Sequence, residues 1–294
     1  MSTEFPQEHL QAYEKNGLAN QMALGTILGR TMNRMRDLVY VAALLGASVL
    51  SAQGLNDGEA HGDAPFLIED GWRPLLSGKD MAGWGGQDGK PSEWLTVRGV
   101  VWERLLGPTR LRGIAAPAST ILNGQNGRTA NLVSEEKFGD TELYLEFLIP
   151  RGSNSGIYLQ GLYEIQVFDS YGSSEPMKTS DGGAVYHRWI DNQGVGGSAP
   201  SRNASRRPGE WQSFQIWFRA PRFDAAGKKT ENARFLRVLH NGLTVQKDVD
   251  VEGGTRAHMN LTEAPLNPLM LQGDHGPVAF RNIYVRPLRP IINR

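Results

Sequence analysis

The chain has 294 residues, and its 31 Lys and Arg residues balance 31 Asp and Glu residues, so the formal net charge is +0 at pH 7. This balance argues against nucleic acid or an anionic membrane surface as the main partner. The sequence contains no Cys, which excludes a disulfide framework, a thiol nucleophile and a thiolate metal site. Its 35 Gly and 16 Pro residues favour many turns over long helices.

Three segments precede the predicted folded domain. Residues 1–31 are polar and mixed, and we interpret them as a non-native or disordered extension. Residues 32–52 place two arginines before a short apolar run and end in small residues, which is the layout of a secretory signal peptide. An uncleaved signal anchor is the alternative, and it would be the predicted route to a membrane. Residues 53–65 are rich in Gly and Asp and predict a linker.

After the linker, turn residues separate many short segments of alternating apolar residues. Leu143, Leu145 and Phe147 alternate with polar side chains that we expect to face water. Asn241-Gly242 separates two further alternating segments, and Asn-Gly is a strong hairpin signal. The pattern predicts an all-β fold over residues 66–290, an antiparallel β-sandwich of jelly-roll type. Its last strand would return beside an early one, and one concave sheet would carry the ligand.

Residues 154–170, with the sequence NSGIYLQGLYEIQVFDS, carry the clearest site signal. They predict two strands joined by a tight connection at Gly161, with one apolar face and one polar face. The polar face holds these side chains, the last just past the strand end: Tyr158, Gln160, Glu164, Gln166 and Asp169. Carboxylate, amide and phenol groups in a row suit a polar small-molecule ligand. A solvated outer face is the alternative, since antiparallel sheets commonly have one.

A long loop region, residues 172–208, follows this stretch. It is rich in Gly, Ser and Asn and contains one short apolar piece, GAVYHRW, which includes Tyr186. Long loops in compact domains are often functional. Four Trp residues near the start of the domain are either core residues or platforms for sugar rings. They are Trp72, Trp84, Trp94 and Trp102.

A second group of candidates lies near the end of the domain. Asp274 and His275 lie between glycines on a loop that joins two predicted strands, and Gln272 precedes them. A plain hairpin turn is the alternative for this pair. Arg281 begins the last strand, where it either meets the ligand or pairs with Asp274 to hold the loop.

Several of these segments, together and in order, resemble the 3-keto-disaccharide hydrolase family. The segments are PLLSGKDMAGW, FGDTELYLEFLIP, GSNSGIYLQG, YEIQVFDS, GAVY, PGEW, LHNG and LQGDHGPVAFRNIYVRPL. The resemblance covers roughly residues 66 to 288 and implies a concanavalin-like jelly roll. It also implies export to the periplasm or the exterior of a Gram-negative bacterium, and a carbohydrate substrate. The implied activity is hydrolysis of glycosides whose sugar has been oxidised at C3.

A 3-keto group makes the C2 proton acidic, so a base can remove it, the C1 substituent leaves, and water adds to the enone. This route needs one base, one acid and a group that stabilises the enolate. It does not need the paired carboxylates of ordinary glycosidases. With the resemblance, we assign Glu164 as the base and His275 or Asp274 as the acid. The substrate-binding assignments are Tyr158, Gln166, Asp169, Tyr186, Gln272 and Arg281.

Other chemistries stay open at this point. Glu164, Asp169, Asp274 and His275 are an acceptable ligand set for a divalent metal, although nothing in their spacing demands one. No Gly-rich motif follows a strand and opens a helix, so no nicotinamide site is predicted. A non-catalytic carbohydrate-binding module is the alternative function. A conventional glycosidase is a third, and it would require Asp169 or Glu146 close to Glu164 on the concave face.

Overall fold

The computed structural model describes five stretches of the chain, namely residues 64–90, 92–116, 118–124, 127–174 and 176–289. The N-terminal extension and the signal segment lie outside these stretches, as does the linker up to residue 63, so those assignments stay predictions. Within the described stretches, no helix has the length and apolar character needed to cross a membrane.

Short strands dominate the described part of the chain. In chain order its elements are α1 (Pro65–Ile68), β1 (Arg73–Pro74), β2 (Trp84–Gly86), a 3₁₀ turn (Gln87–Gly89), β3 (Leu95–Val97), β4 (Gly99–Trp102), β5 (Leu111–Ile114), β6 (Thr120–Leu122), β7 (Leu132–Phe138), β8 (Thr141–Leu148), β9 (Asn154–Leu159), β10 (Tyr163–Phe168), β11 (Arg188–Ile190), β12 (Gln193–Val195), β13 (Gln212–Arg219), β14 (Arg222–Phe223), β15 (Lys229–Glu231), β16 (Ala233–His240), β17 (Leu243–Val251), β18 (Asn267–Leu271) and β19 (Ala279–Pro287).

Two antiparallel sheets form a sandwich. Sheet A has the strand order β17-β16-β13-β8-β19-β6-β3, with β1 also paired to β19. Sheet B has the order β10-β9-β18-β7-β2. The pairing of Arg73 with Val285 confirms that the last strand returns beside the first. The predicted all-β sandwich of jelly-roll type is therefore confirmed.

The core lies between the two sheets. On β13, Phe214, Ile216 and Phe218 are fully buried and alternate with more exposed residues, because successive side chains point to opposite faces. Burying each such side chain stabilises the fold by about 2 kcal/mol. Trp84 and Trp94 join the same core, which confirms the core alternative for these two residues.

The predicted turns are correct in one place and incomplete in another. Asn241 and Gly242 join β16 to β17 and both have positive φ, as a two-residue hairpin turn of this type requires. Residues 172–208 are not one continuous loop, because β11 and β12 form a hairpin within them. Its turn residues Asp191 and Asn192 also have positive φ. Each of its strands has only three residues, which is too short for an alternating pattern to reveal.

Candidate active site

Tyr158, Glu164 and Gln166 lie on the face of sheet B that points away from the core, as the alternation predicted. The prediction is wrong for Gln160, which lies in the turn after β9 with positive φ and donates to the Phe138 carbonyl at 2.9 Å. Glu164 pairs with Tyr158 across the two strands, and Gln166 pairs with Gly156. This face is not solvated, however. Tyr158 is 0% exposed, and Glu164 and Gln166 are each 3% exposed. The alternative of a wet outer face is therefore wrong, and the row of polar groups is buried. We refer to this buried polar region as the Glu164 pocket.

Two segments fix the backbone of Glu164 at the free edge of β10. Residues 183–186 run along this edge, where the Tyr186 amide donates to the Glu164 carbonyl at 3.1 Å. At the same edge, the Glu164 amide donates to Thr255 Oγ1 at 3.1 Å, and the Thr255 amide donates to the Leu162 carbonyl at 2.8 Å. Both contacts come from loops whose positions the alternation of apolar residues in the sequence does not predict.

Gly156 makes room for the Glu164 carboxylate. A Cβ atom at position 156 would lie 2.2 Å from Glu164 Oε1 and 2.8 Å from Tyr158 Cε2. The Gln272 amide donates to the Gly156 carbonyl at 2.9 Å, so Gln166 and Gln272 flank Gly156 on the two neighbouring strands. The Glu164 carboxylate therefore lies over Gly156 on β9, in the space that the missing side chain leaves between Gln166 and Gln272.

Burial raises the pKa of Glu164 from its ordinary value of 4.5 to about 8. Taking a carboxylate out of water disfavours its charged form, and the neighbouring Asp274 carboxylate adds to the rise. A hydrogen bond from Tyr158 opposes it. Burial, followed by the Glu164 charge, also raises the pKa of Tyr158 well above 10, so this phenol stays neutral. A carboxyl group with a pKa near the working pH is suited to act as a general base.

If Glu164 is the base, kcat/KM should rise with pH, because the base works only after it has lost its proton. We expect a bell-shaped profile: kcat/KM rises by about tenfold per pH unit on the acid side, where Glu164 must lose its proton, and falls on the alkaline side, because the leaving oxygen also needs a protonated acid. A pH–rate profile of the purified protein measures this. A profile that is flat between pH 6 and about pH 9 would contradict the assignment.

The same pKa shift acts on stability in the opposite direction. The folded-state pKa of Glu164 is raised, so the stability that its proton contributes is complete below about pH 4.5 and is lost as the pH rises through about 8. We expect Glu164→Gln to be more stable than the wild type by a few kcal/mol at about pH 9, with the difference shrinking toward about pH 5. Urea unfolding of both proteins checks this, and equal pH dependence in the two would contradict it.

Asp274 and His275 lie on the β18 side of the pocket. His275 Nδ1 is 2.5 Å from Asp274 Oδ1, and because a carboxylate only accepts, Nδ1 carries the proton. This hydrogen bond is the main cause that lowers the pKa of Asp274 below its ordinary value. The loop is not a hairpin, since β18 belongs to sheet B and β19 to sheet A. The hairpin alternative is therefore wrong. Among the residues that the structure describes, none hydrogen-bonds His275 Nε2.

Asn123 holds this loop in place, a role that sequence reasoning missed. Its Nδ2 donates to the carbonyls of Gly273 and Gly276 at 3.0 and 2.8 Å. Its Oδ1 accepts from the Val278 amide at 2.7 Å, and the residue is 1% exposed. One buried side chain thus fixes the backbone on both sides of Asp274 and His275. In the sequence it is one Asn in a Gly- and Asn-rich turn, which gives no sign of a partner 150 residues away.

Asn123→Ala is expected to destabilise the fold by about 3 kcal/mol, because it leaves the buried Gly276 carbonyl and the Val278 amide without partners and removes one of the two donors to the Gly273 carbonyl. Urea unfolding measures the change. Asn260→Ala, at an exposed Asn, is the matched control and should change the free energy of unfolding by less than about 0.5 kcal/mol. Equal effects of the two substitutions would show that the Asn123 contacts do not hold the loop.

Tyr186 and Arg256 lie at the opposite end of the pocket from His275. The Tyr158 hydroxyl oxygen lies 3.1 Å from the Arg256 carbonyl oxygen, and the Arg256 guanidinium hydrogen-bonds Tyr186. Burial, followed by the charge of Glu164, raises the pKa of Tyr186, and Arg256 opposes that rise. The Arg256 guanidinium also lies 3.9 Å from the ring centroid of Trp189 on β11. Arg256 and Trp189 were not predicted, because the loop and short hairpin that carry them show no periodic pattern.

Asp169 is not brought to Glu164. Its Oδ2 accepts from the Gly152 amide at 2.8 Å, in a separate cleft beyond the end of β10. The candidate metal set of Glu164, Asp169, Asp274 and His275 is therefore divided between two places. Within the described stretches, no group of three or more His, Cys, Asp or Glu side chains is arranged to hold a metal ion.

Arg281 belongs to the other sheet. Its neighbour Phe280 points into the core, so Arg281 lies on the outer face of sheet A. There its Nε donates to Glu146 Oε2 at 2.6 Å, and its guanidinium covers Trp211 at 4.1 Å. The predicted pairing of Arg281 with Asp274 is wrong, because β19 crosses to the far side of the sandwich. The same crossing separates Glu146 from Glu164, so the carboxylate pair of a conventional glycosidase is not formed by these residues.

The family model of the 3-keto-alpha-glucoside-1,2-lyase-like domain matches residues 71–286. The chain belongs to this family. The match confirms the resemblance drawn from the sequence motifs and covers nearly all of the described sandwich.

Two solved structures are similar to this chain. One protein of Parabacteroides distasonis, provisionally named a glycosyl hydrolase, is 28% identical with a TM-score of 0.54, over 74% of this chain and 84% of that chain. A second protein of the same organism, with the same provisional name, is 16% identical with a TM-score of 0.49, over 79% of this chain and 99% of that chain. None of the curated proteins matches the chain. The family and the first of these relatives identify a glycosyl hydrolase-like domain.

Proposed function

We propose that this protein cleaves glycosides whose sugar is oxidised at C3, and that Glu164 removes the C2 proton. The observation that carries this proposal is the buried Glu164 carboxyl group, with a pKa near 8, among the buried polar side chains of β9 and β10. The family to which the chain belongs supports it, since a 1,2-lyase acts across C1 and C2 of a 3-keto-glucoside. One base is sufficient, because the ketone makes the C2 proton acidic.

The order of groups along the pocket matches the order of the reacting carbons. Asp274 and His275 follow β18 toward the end of β10, whereas Arg256 lies beside the Leu162 turn at the start of β10. Glu164 lies between them. A sugar with C2 over Glu164 would direct C1 toward His275 and the C3 oxygen toward Tyr186 and Arg256.

In this pose Glu164 takes the C2 proton, and the electron pair moves onto the C3 oxygen. The phenol of Tyr186, backed by the Arg256 guanidinium, would stabilise that enolate. The enolate then collapses, the C1–oxygen bond breaks, and protonated His275 gives its Nε2 proton to the departing oxygen. Asp274 holds the imidazole at Nδ1 and stabilises its positive charge.

Hydration of the enone restores both groups. Neutral His275 accepts a proton from water as the hydroxide adds to C1, and Glu164, after exchanging its proton with the incoming water, protonates C2. The net reaction is hydrolysis to a free 3-keto sugar and an alcohol. Gln166 and Gln272, on either side of Gly156, are the candidates to bind the sugar hydroxyls.

The experiment that tests this proposal compares 3-keto-trehalose with unoxidised trehalose, with and without a chelator, and follows the release of 3-ketoglucose. Release from the keto sugar alone is the expected result. Equal release from trehalose would overturn the keto-sugar proposal in favour of an ordinary glycosidase. Binding of keto glycosides without release would instead identify a carbohydrate-binding module.

A further inference from the structure

A second cleft, separate from the Glu164 pocket, opens beyond the end of β10. Its volume is about 500 Å³, which is within the range of ligand sites in proteins. Asp169 and Tyr171 come from the segment after β10, Arg151 from the loop between β8 and β9, and Trp102 from the end of β4. Neither Glu164 nor its polar neighbours line this cleft.

The cleft carries more positive than negative charge. Arg104, Arg151 and Arg207 line it, against Asp169 and Glu210. One oxygen of Asp169 already accepts from a backbone amide, and Glu210 acts electrostatically on Arg207. Among the described residues, neither Arg104 nor Arg151 has an ion-pair partner. Two guanidinium groups are therefore available for an anionic ligand.

Two aromatic side chains in the cleft have fixed positions. The Tyr171 ring is 49% exposed, and Arg207 Nε donates to its hydroxyl at 3.1 Å. Trp102 Nε1 donates to the Pro108 carbonyl at 2.7 Å. Gly209 packs against the Trp102 ring so closely that a Cβ atom there would lie 2.6 Å from Cε3. An exposed, held aromatic ring offers a flat apolar surface to the C–H face of a sugar.

We infer that this cleft binds an acidic saccharide, with a uronate carboxylate on Arg104 and Arg151 and a sugar ring on Tyr171. Guanidinium groups bind carboxylates through paired N–H donors, which gives the acid its preference over a neutral sugar. The free oxygen of Asp169 would accept a hydrogen bond from a sugar hydroxyl. A nucleic acid is a poorer ligand, because the chain has a net charge of +0 and the arginines lie in one cleft rather than along a stripe.

The test measures binding of trigalacturonate and of galactotriose to the full chain by isothermal titration calorimetry at low salt. We expect trigalacturonate to bind at least about tenfold more tightly than the neutral trisaccharide, and its affinity to fall as salt is added. Arg104→Gln and Arg151→Gln should each weaken it by about fivefold to tenfold, and Tyr171→Leu should weaken it by a similar factor.

Two controls separate this site from general charge and from the catalytic pocket. Arg98→Gln removes an exposed arginine outside the cleft and should leave trigalacturonate binding unchanged. Glu164→Gln should leave it unchanged as well. Equal affinity for the two trisaccharides, or an equal loss in Arg98→Gln, would overturn the inference. Displacement of trigalacturonate by sodium sulfate at the same concentration would show that the cleft binds simple anions without preference for a saccharide. That result would also overturn the inference.

Discussion

Replacing Glu164 by Gln is expected to lower kcat/KM on a 3-keto glycoside by on the order of 10³-fold, with no loss of the fold. The amide has the shape of the protonated carboxyl group, which is the form that burial favours at neutral pH. It therefore keeps the contact with Tyr158 and the position over Gly156. It cannot accept a proton from C2, so the first step of the elimination has no base.

Glu135→Gln is the matched control for this variant. Glu135 lies exposed on β7 of the same sheet, so its replacement removes a carboxylate without touching the pocket. The control should turn over substrate like the wild type. Circular dichroism and thermal unfolding establish that both variants fold. Wild-type turnover by folded Glu164→Gln would remove Glu164 from the base role.

Gly156→Ala is expected to lower kcat/KM by about 10²-fold, because the added methyl group takes the space of the Glu164 carboxylate. The new Cβ would lie 2.2 Å from Oε1, so the carboxylate must rotate away from the sugar. The same crowding should cost about 1–3 kcal/mol of stability, the usual range for overpacking a filled site. Steady-state kinetics and urea unfolding measure the two effects separately.

Gly85→Ala provides the comparison, since Gly85 lies on β2 of the same sheet and an added Cβ has no neighbour within 4 Å. It should be close to neutral in activity. If Gly156 acts only through Glu164, then Gly156→Ala should cost little further activity in the Glu164→Gln background. Additive losses in the double variant would contradict that explanation.

Much of the fold could be predicted because its signals are local. Alternation in β13 and in residues 154–170 identifies strands, and Asn241-Gly242 identifies a turn, since each depends only on neighbouring residues. The same alternation placed Tyr158, Glu164 and Gln166 on one face. Their chemistry as a site came from the family motifs, since the pattern alone was equally consistent with a wet face.

The remaining contacts could not be predicted because they depend on which distant strands become neighbours. Glu142 was expected among the side chains that face water, but it is 1% exposed. Its Oε2 lies 2.7 Å from Nε of Arg286, its partner on β19. A carboxylate that pairs with a buried guanidinium looks the same in sequence as a solvated one. For the same reason, the sequence could not show that Arg281 would face Glu146 rather than the sugar.

The measurement that tests the central claim most directly is the fate of the hydrogen at C2. A 3-keto glycoside is cleaved in D₂O, and the released 3-ketoglucose is reduced at once with borohydride and analysed by mass spectrometry and NMR. Free 3-ketoglucose held in the same D₂O without protein corrects for spontaneous exchange. Elimination followed by hydration predicts one solvent deuterium at C2 of each released sugar. Release of sugar that retains its original C2 hydrogen would contradict proton removal at C2, and with it the role of Glu164 as the base.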